Sequence, residues 1–359
     1  MTPACVVPRR RSLVYGAPMK SCLPWLLLGL VVGCGGPQES TGAARTPPPD
    51  YELHEWGVIT TSASGTLVTA GPHIDEPQIA VEKPVLYFHA REPVSVQLEV
   101  LPGVGYEARE HYPPTHGLHW SMTIAPDGCA AAHAYPRQCA ATDGICEVRE
   151  LARYETRDAA CLQVGDARLP LLFYRLGAAG AVSLPAAVQV QGTEVRAHAT
   201  RGEVSGWRVA YVDGEVRAAP VTLGQTWHTL PTPDQPWTVA AESLNASLRA
   251  AGLTGAERGA FQRAWWLPLF GTEPVSAEAT GAADEASEEA LPDEDQLAEQ
   301  HPRQELEQVE EERMLRPSAE VLDVMFYLLP AEEVDRISHL AATPAPNRVA
   351  RAFLVRHVL

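Results

Sequence analysis

Val94-Ser95-Val96-Gln97-Leu98-Glu99-Val100 alternates apolar and polar side chains without a break. Successive side chains of a strand point to opposite faces, so this pattern buries one face and wets the other. The same period recurs at residues 194–200 and 207–212. Asp213-Gly214 follows, and then residues 215–223 resume the pattern. Asp-Gly between two such runs is a strong hairpin signal. From residue 51 to about residue 224 the chain therefore reads as mainly β.

Two segments share one order of residue types. They are Lys83-Pro84-Val85-Leu86-Tyr87-Phe88-His89 and Leu169-Pro170-Leu171-Leu172-Phe173-Tyr174-Arg175. The repetition points to β-sandwich-like units, in tandem or as a duplicated half, over residues 51–168 and 169–237. The next stretch, 238–270, reads as a helical hairpin. Leu244, Leu248 and Ala251 share a face, Gly252 stops the first helix, and Thr254-Gly255-Ala256-Glu257 has the capping-box pattern that opens the second. Phe261, Trp265 and Trp266 give that second helix an apolar stripe. Residues 317–359 close the chain as strand, helix and strand, with Glu332 and Glu333 in the first turn after Pro330. The expected fold class is mainly β with an α+β C-terminal part.

Residues 273–312 carry 15 acidic residues and the single arginine Arg303. Such a block repels itself and has little apolar surface to bury, so 271–316 reads as a disordered insertion. It lacks the turn glycine and regular acid spacing of a calcium loop.

The first 33 residues hold Arg9, Arg10, Arg11 and Lys20 and no acid. The apolar run at 23–32 falls short of the ~20 residues that span a bilayer. A basic start, a short apolar core and small residues at its end make an export signal. Val31-Val32-Gly33-Cys34 resembles the lipobox of bacterial lipoprotein precursors, which implies cleavage before Cys34 and lipidation of its thiol. Residues 34–50, rich in Gly, Pro, Ser and Thr, read as a flexible tether. Met19-Lys20 would serve equally as a start. Arg10-Arg11-Ser12-Leu13-Val14 loosely resembles a twin-arginine motif. Gly35, in place of Asp, favours the outer membrane by resemblance to the best-known sorting rule.

Losing the four basic residues of 1–33 takes the net charge from −17 to −21. That balance argues against a nucleic-acid partner, which needs a basic face. Cys129, Cys139, Cys146 and Cys161 form an even set in an exported chain and read as two disulfides. Three connectivities exist. The neighbour pairing, Cys129 with Cys139 and Cys146 with Cys161, would close two short loops. Intervals of 9, 6 and 14 residues do not suit a zinc knuckle.

Local motifs for catalysis are weak. His54-Glu55-Trp56-Gly57 lacks the second histidine that a zincin helix places four residues on; position 58 is Val58. On a strand His54 and Glu55 face opposite ways, and a structural role is expected. Gly103-Val104-Gly105 follows a strand, but Pro113-Pro114 stands where a dinucleotide-binding helix should run, so a turn is expected. His111, His116 and His119 lie on one Pro/Gly-rich loop and are the weak metal candidates.

Outside the signal, Glu55-Trp56-Gly57-Val58-Ile59-Thr60-Thr61, the strand Pro84 to Phe88, Phe173-Tyr174-Arg175 and the run Phe326 to Pro330 resemble a family of uncharacterised exported bacterial proteins. The resemblance spans about 51–359 without the acidic block. It implies no site residue and no cofactor. The expectation is a lipid-anchored envelope protein acting as a non-catalytic binding or structural module for an envelope or extracellular protein or glycan. The alternative is a periplasmic or surface hydrolase, or a metal-binding protein, using the loops around His111–His119.

Overall fold

The computed structural model describes residues 50–62, 64–65, 80–136, 148–179, 182–192, 194–272 and 322–359. The signal segment, Cys34, Cys139, Cys146 and the acidic block lie outside those residues. The N-terminal half supplies β1 (Tyr51–Ser62), β2 (Ser64–Gly65), β3 (Ala80–Ala90), β4 (Val94–Pro102), β5 (Tyr106–Tyr112) and β6 (His119–Ala125). A 3-10 turn, Val148–Tyr154, leads to β7 (Cys161–Val164), β8 (Ala167–Leu169) and β9 (Leu172–Ala178). Next come β10 (Ala186–Gln191), β11 (Glu194–Ala199), β12 (Val204–Val212), β13 (Glu215–Leu223), β14 (His228–Thr229) and β15 (Gln235–Pro236). Helices α1 (Trp237–Ala250) and α2 (Gly255–Phe270) follow. The chain ends with β16 (Asp323–Leu328), α3 (Ala331–Ile337), β17 (Ser338–Thr343) and β18 (Arg348–Val358).

Nine strands form the main sheet in the order β15-β13-β12-β16-β18-β1-β3-β9-β5. Smaller sheets run β14-β11-β10-β2 and β17-β4-β6-β7-β8. The fold is thus mainly β, with an α+β C-terminal part, as the patterns imply. The boundaries read at 168 and 237, however, run through one sheet. The two look-alike segments are not equivalent strands of separate units. They lie side by side as β3 and β9, with Val85 opposite Phe173 and Leu86 opposite Leu172.

Local signals hold where they are local. Asp213 and Gly214 take positive φ (51° and 87°), which a two-residue type I′ turn requires, and Val212 pairs with Glu215. Strand β4 has the expected alternating burial: Val96, Leu98 and Val100 are buried, while Ser95, Gln97 and Glu99 are exposed. Both closing strands join the main sheet, with β18 between β16 and β1. β17 was not evident from the sequence. It leaves α3 and pairs with β4 of the five-stranded sheet.

β1 lies next to β18 in parallel and β3 in antiparallel register. It is buried on both faces. On one, Trp56 meets the edges of Phe261 of α2 and Tyr154, with ring centroids 5.5 and 5.6 Å apart. Burial of each such aromatic contributes ~1.5–3 kcal/mol. On the other face Glu55, fully buried, accepts from Arg351 Nε (2.6 Å) and Tyr174 Oη (2.5 Å). Arg351 also donates to Asp335 Oδ1, the Ser338 carbonyl and Ser338 Oγ, so α3 and β17 close that face.

Cys129 is bonded to Cys161 (S–S 2.00 Å). This replaces the neighbour pairing. The strand β7 that carries Cys161 pairs with β6, and Ala125 lies opposite Cys161. That ladder brings Cys129, four residues past the end of β6, to the start of β7. The link spans 32 residues and restricts the unfolded chain by about 4 kcal/mol on a loop-entropy basis.

Candidate functional site

The antiparallel register of β1 and β3 places Glu52 opposite His89 and His54 opposite Tyr87. His54 and His89 are therefore diagonal neighbours on one face. Their ring centroids are 4.5 Å apart. This is the face that the helical hairpin covers, and α2 adds the third group. The capping box read from Thr254 and Glu257 is formed: Thr254 Oγ1 accepts from Glu257 N (3.2 Å), and Glu257 Oε2 accepts from Thr254 N (2.8 Å). The same carboxylate then meets both imidazoles. Glu257 Oε1 is 3.0 Å from His54 Nδ1 and 2.8 Å from His89 Nε2.

Each imidazole also uses its other nitrogen. His54 Nε2 lies 3.2 Å from Glu52 Oε2, and His89 Nδ1 lies 3.1 Å from the Asp158 carbonyl oxygen. Glu52 is in turn 3.6 Å from Arg348 Nη1. Glu257 is fully buried and His54 nearly so, whereas the His89 side chain is 21% exposed and opens the cluster to solvent. Burial pushes the Glu257 carboxyl up, but the hydrogen bonds from His54 and His89 prevail and hold it at about 2. Burial pushes His89 down, and the hydrogen bond and charge of Glu257 outweigh it, raising His89 above its ordinary value.

His54 Nδ1, His89 Nε2 and a Glu257 oxygen lie within 4.8 Å of one another. Among the described residues this is the group of three whose donor atoms can converge on a metal ion. Two imidazoles and a carboxylate can share protons or hold a borderline divalent cation.

The loop candidates do not converge. His116 and His119 are exposed, and His111 is half-buried with its Nε2 accepting from Thr115 N (3.2 Å). Thr115 Oγ1 donates to the His119 carbonyl, and Trp120 Nε1 donates to the Pro113 carbonyl (3.0 Å). These contacts shape the loop. Gly103 and Gly105 form the expected turn between β4 and β5, and a Cβ on Gly103 would sit 1.8 Å from the Arg336 carbonyl oxygen.

Sequence reasoning assigned His54 to structure and passed over His89 and Glu257 as ligands. A histidine within a strand rich in large apolar residues, at 54 and again at 89, was the available signal. Comparison of the chain with known protein families, curated proteins and solved structures finds no match.

Proposed function

We propose that the chain is an exported lipoprotein, cut before Cys34 and held at the outer membrane by lipid on that cysteine, whose β-rich body is a non-catalytic binding module. The Cys129–Cys161 disulfide carries this reading. Disulfides persist in oxidising compartments, and a chain with a lipobox-like Val31-Val32-Gly33-Cys34 is bound for one. Two or more acyl chains, as lipoproteins carry, hold firmly where one is marginal.

The surface offered to a partner is the outer face of the five-stranded sheet. Ser95, Gln97, Ser121, Thr123, Gln163 and Thr343 line an open groove there. Its hydroxyls and amides carry no charge, which suits an envelope protein or glycan and does not suit a polyanion.

Cys34→Ser should leave unprocessed precursor that takes up no labelled fatty acid. Normal lipidation and maturation of that variant would overturn the anchor. For the binding face, Gln97→Arg with Thr123→Arg should abolish retention of the detergent-purified protein on isolated envelopes without lowering its melting temperature. Unchanged retention would remove that face from the function.

A further inference from the structure

We infer that His54, His89 and Glu257 form a binding site for one divalent transition-metal ion of the zinc type. The inference does not rest on the lipid anchor or on the sheet groove. It rests on two separate features of the cluster. The first is convergence: two imidazole nitrogens and one carboxylate oxygen lie within 4.8 Å, drawn from β1, β3 and α2. Two histidines and one glutamate are a known three-ligand zinc set, with a fourth position left for water.

The second feature lies outside those three atoms. Metal-bound histidines generally donate their other ring N–H to a carboxylate or a carbonyl, and metal-bound carboxylates are themselves hydrogen-bonded. All three groups here have such a partner. His54 Nε2 faces the Glu52 carboxylate, His89 Nδ1 faces the Asp158 carbonyl, and Glu257 Oε2 takes the Thr254 backbone N–H. These contacts hold His54 Nδ1, 3.0 Å from both Glu257 oxygens, and His89 Nε2, 2.8 Å from Oε1, against the one carboxylate. The Thr254 contact is also the cap of α2, so the two imidazole contacts, to Glu52 and to the Asp158 carbonyl, are the ones that go beyond a simple buried ion pair.

Charge supports the same assignment. Glu257 is wholly buried, and when the imidazoles are neutral a divalent cation compensates its charge; Glu52 is partly exposed and already faces Arg348. Imidazole nitrogen selects zinc-like ions over calcium or magnesium, which prefer an all-oxygen shell. The partial exposure of His89 gives the ion a way in. An ion there would also fasten the helical hairpin to the main sheet, because α2 supplies one ligand and the sheet supplies two.

The test uses the full chain, purified and stripped with a chelator. Titration with Zn2+ should saturate at one equivalent, unaffected by excess Mg2+ or Ca2+. Co2+ should give visible absorption of four- or five-coordinate intensity. His89→Gln should weaken Zn2+ binding by more than 100-fold. Glu52→Gln, which changes the outer partner of His54 and the exposed pair with Arg348 but no ligand atom, should weaken it by about 10- to 100-fold. His116→Ala and His119→Ala should leave it within twofold. The inference is overturned if the wild type takes up no stoichiometric Zn2+, or if Glu52→Gln binds it as the wild type does. Should His89→Gln fail to fold, Glu52→Gln and the Co2+ spectrum still decide.

Discussion

β1 has a buried ionic cluster on each face, and different cations close the two. On the α3 face, Glu55 is met by Arg351, Tyr174 and, through them, Ser338. On the hairpin face, Glu257 is met by His54 and His89. A guanidinium keeps its proton at any physiological pH and has no lone pair to offer. An imidazole can lose its proton and then present a nitrogen to a metal. The Glu55 cluster is therefore a permanent clasp, whereas the Glu257 cluster is exchangeable. Depth alone does not separate them, since both carboxylates are fully buried.

The largest effect is expected at Glu55. Glu55→Leu leaves Arg351 buried with only the half-exposed Asp335 for charge, and should cost about 3–5 kcal/mol in urea denaturation. A loss under about 1 kcal/mol would mean that the clasp holds nothing.

His357 sharpens the contrast among histidines. It is buried on β18 with its Nε2 unpartnered among the described residues, and burial depresses it to about 4. Between that value and the ordinary 6.5, the unfolded chain takes up a proton that the folded chain refuses. Stability should thus fall as pH drops from 6.5 toward 4, by about 3 kcal/mol from this group. His357→Leu should flatten that slope; an unchanged slope would assign it to other groups.

Glu257→Gln should cost less than Glu55→Leu, about 1–3 kcal/mol in chelator, because the facing imidazoles can become neutral. An equal cost would show the two clusters to be alike. Thr254→Ala removes the cap on α2 and should cost about 1 kcal/mol by the same measurement. The smallest effect belongs to His116→Ala, on the exposed loop, which should shift stability by no more than about 0.5 kcal/mol. A larger loss would show that this loop supports the fold.

Features set by residues close together in the chain were legible from residue order. The alternation at 94–100 made β4, Asp213-Gly214 made the β12–β13 turn, and Thr254 with Glu257 made the cap of α2. In each case the interacting groups are a few positions apart, so strand period, positive φ and helix-end chemistry suffice. Tertiary structure alone decided the partners. β3 and β9 resemble each other yet pair in one sheet, because register depends on which faces are buried together. Cys129 reached past its nearer neighbours to Cys161 because the β6–β7 ladder brings those strand ends together. Glu257 lies 203 residues from His54 and 168 from His89. Nothing in the local pattern of any one of them names the other two. They meet because β1 and β3 pair diagonally and the apolar stripe of α2 seats its capped first turn over that pair.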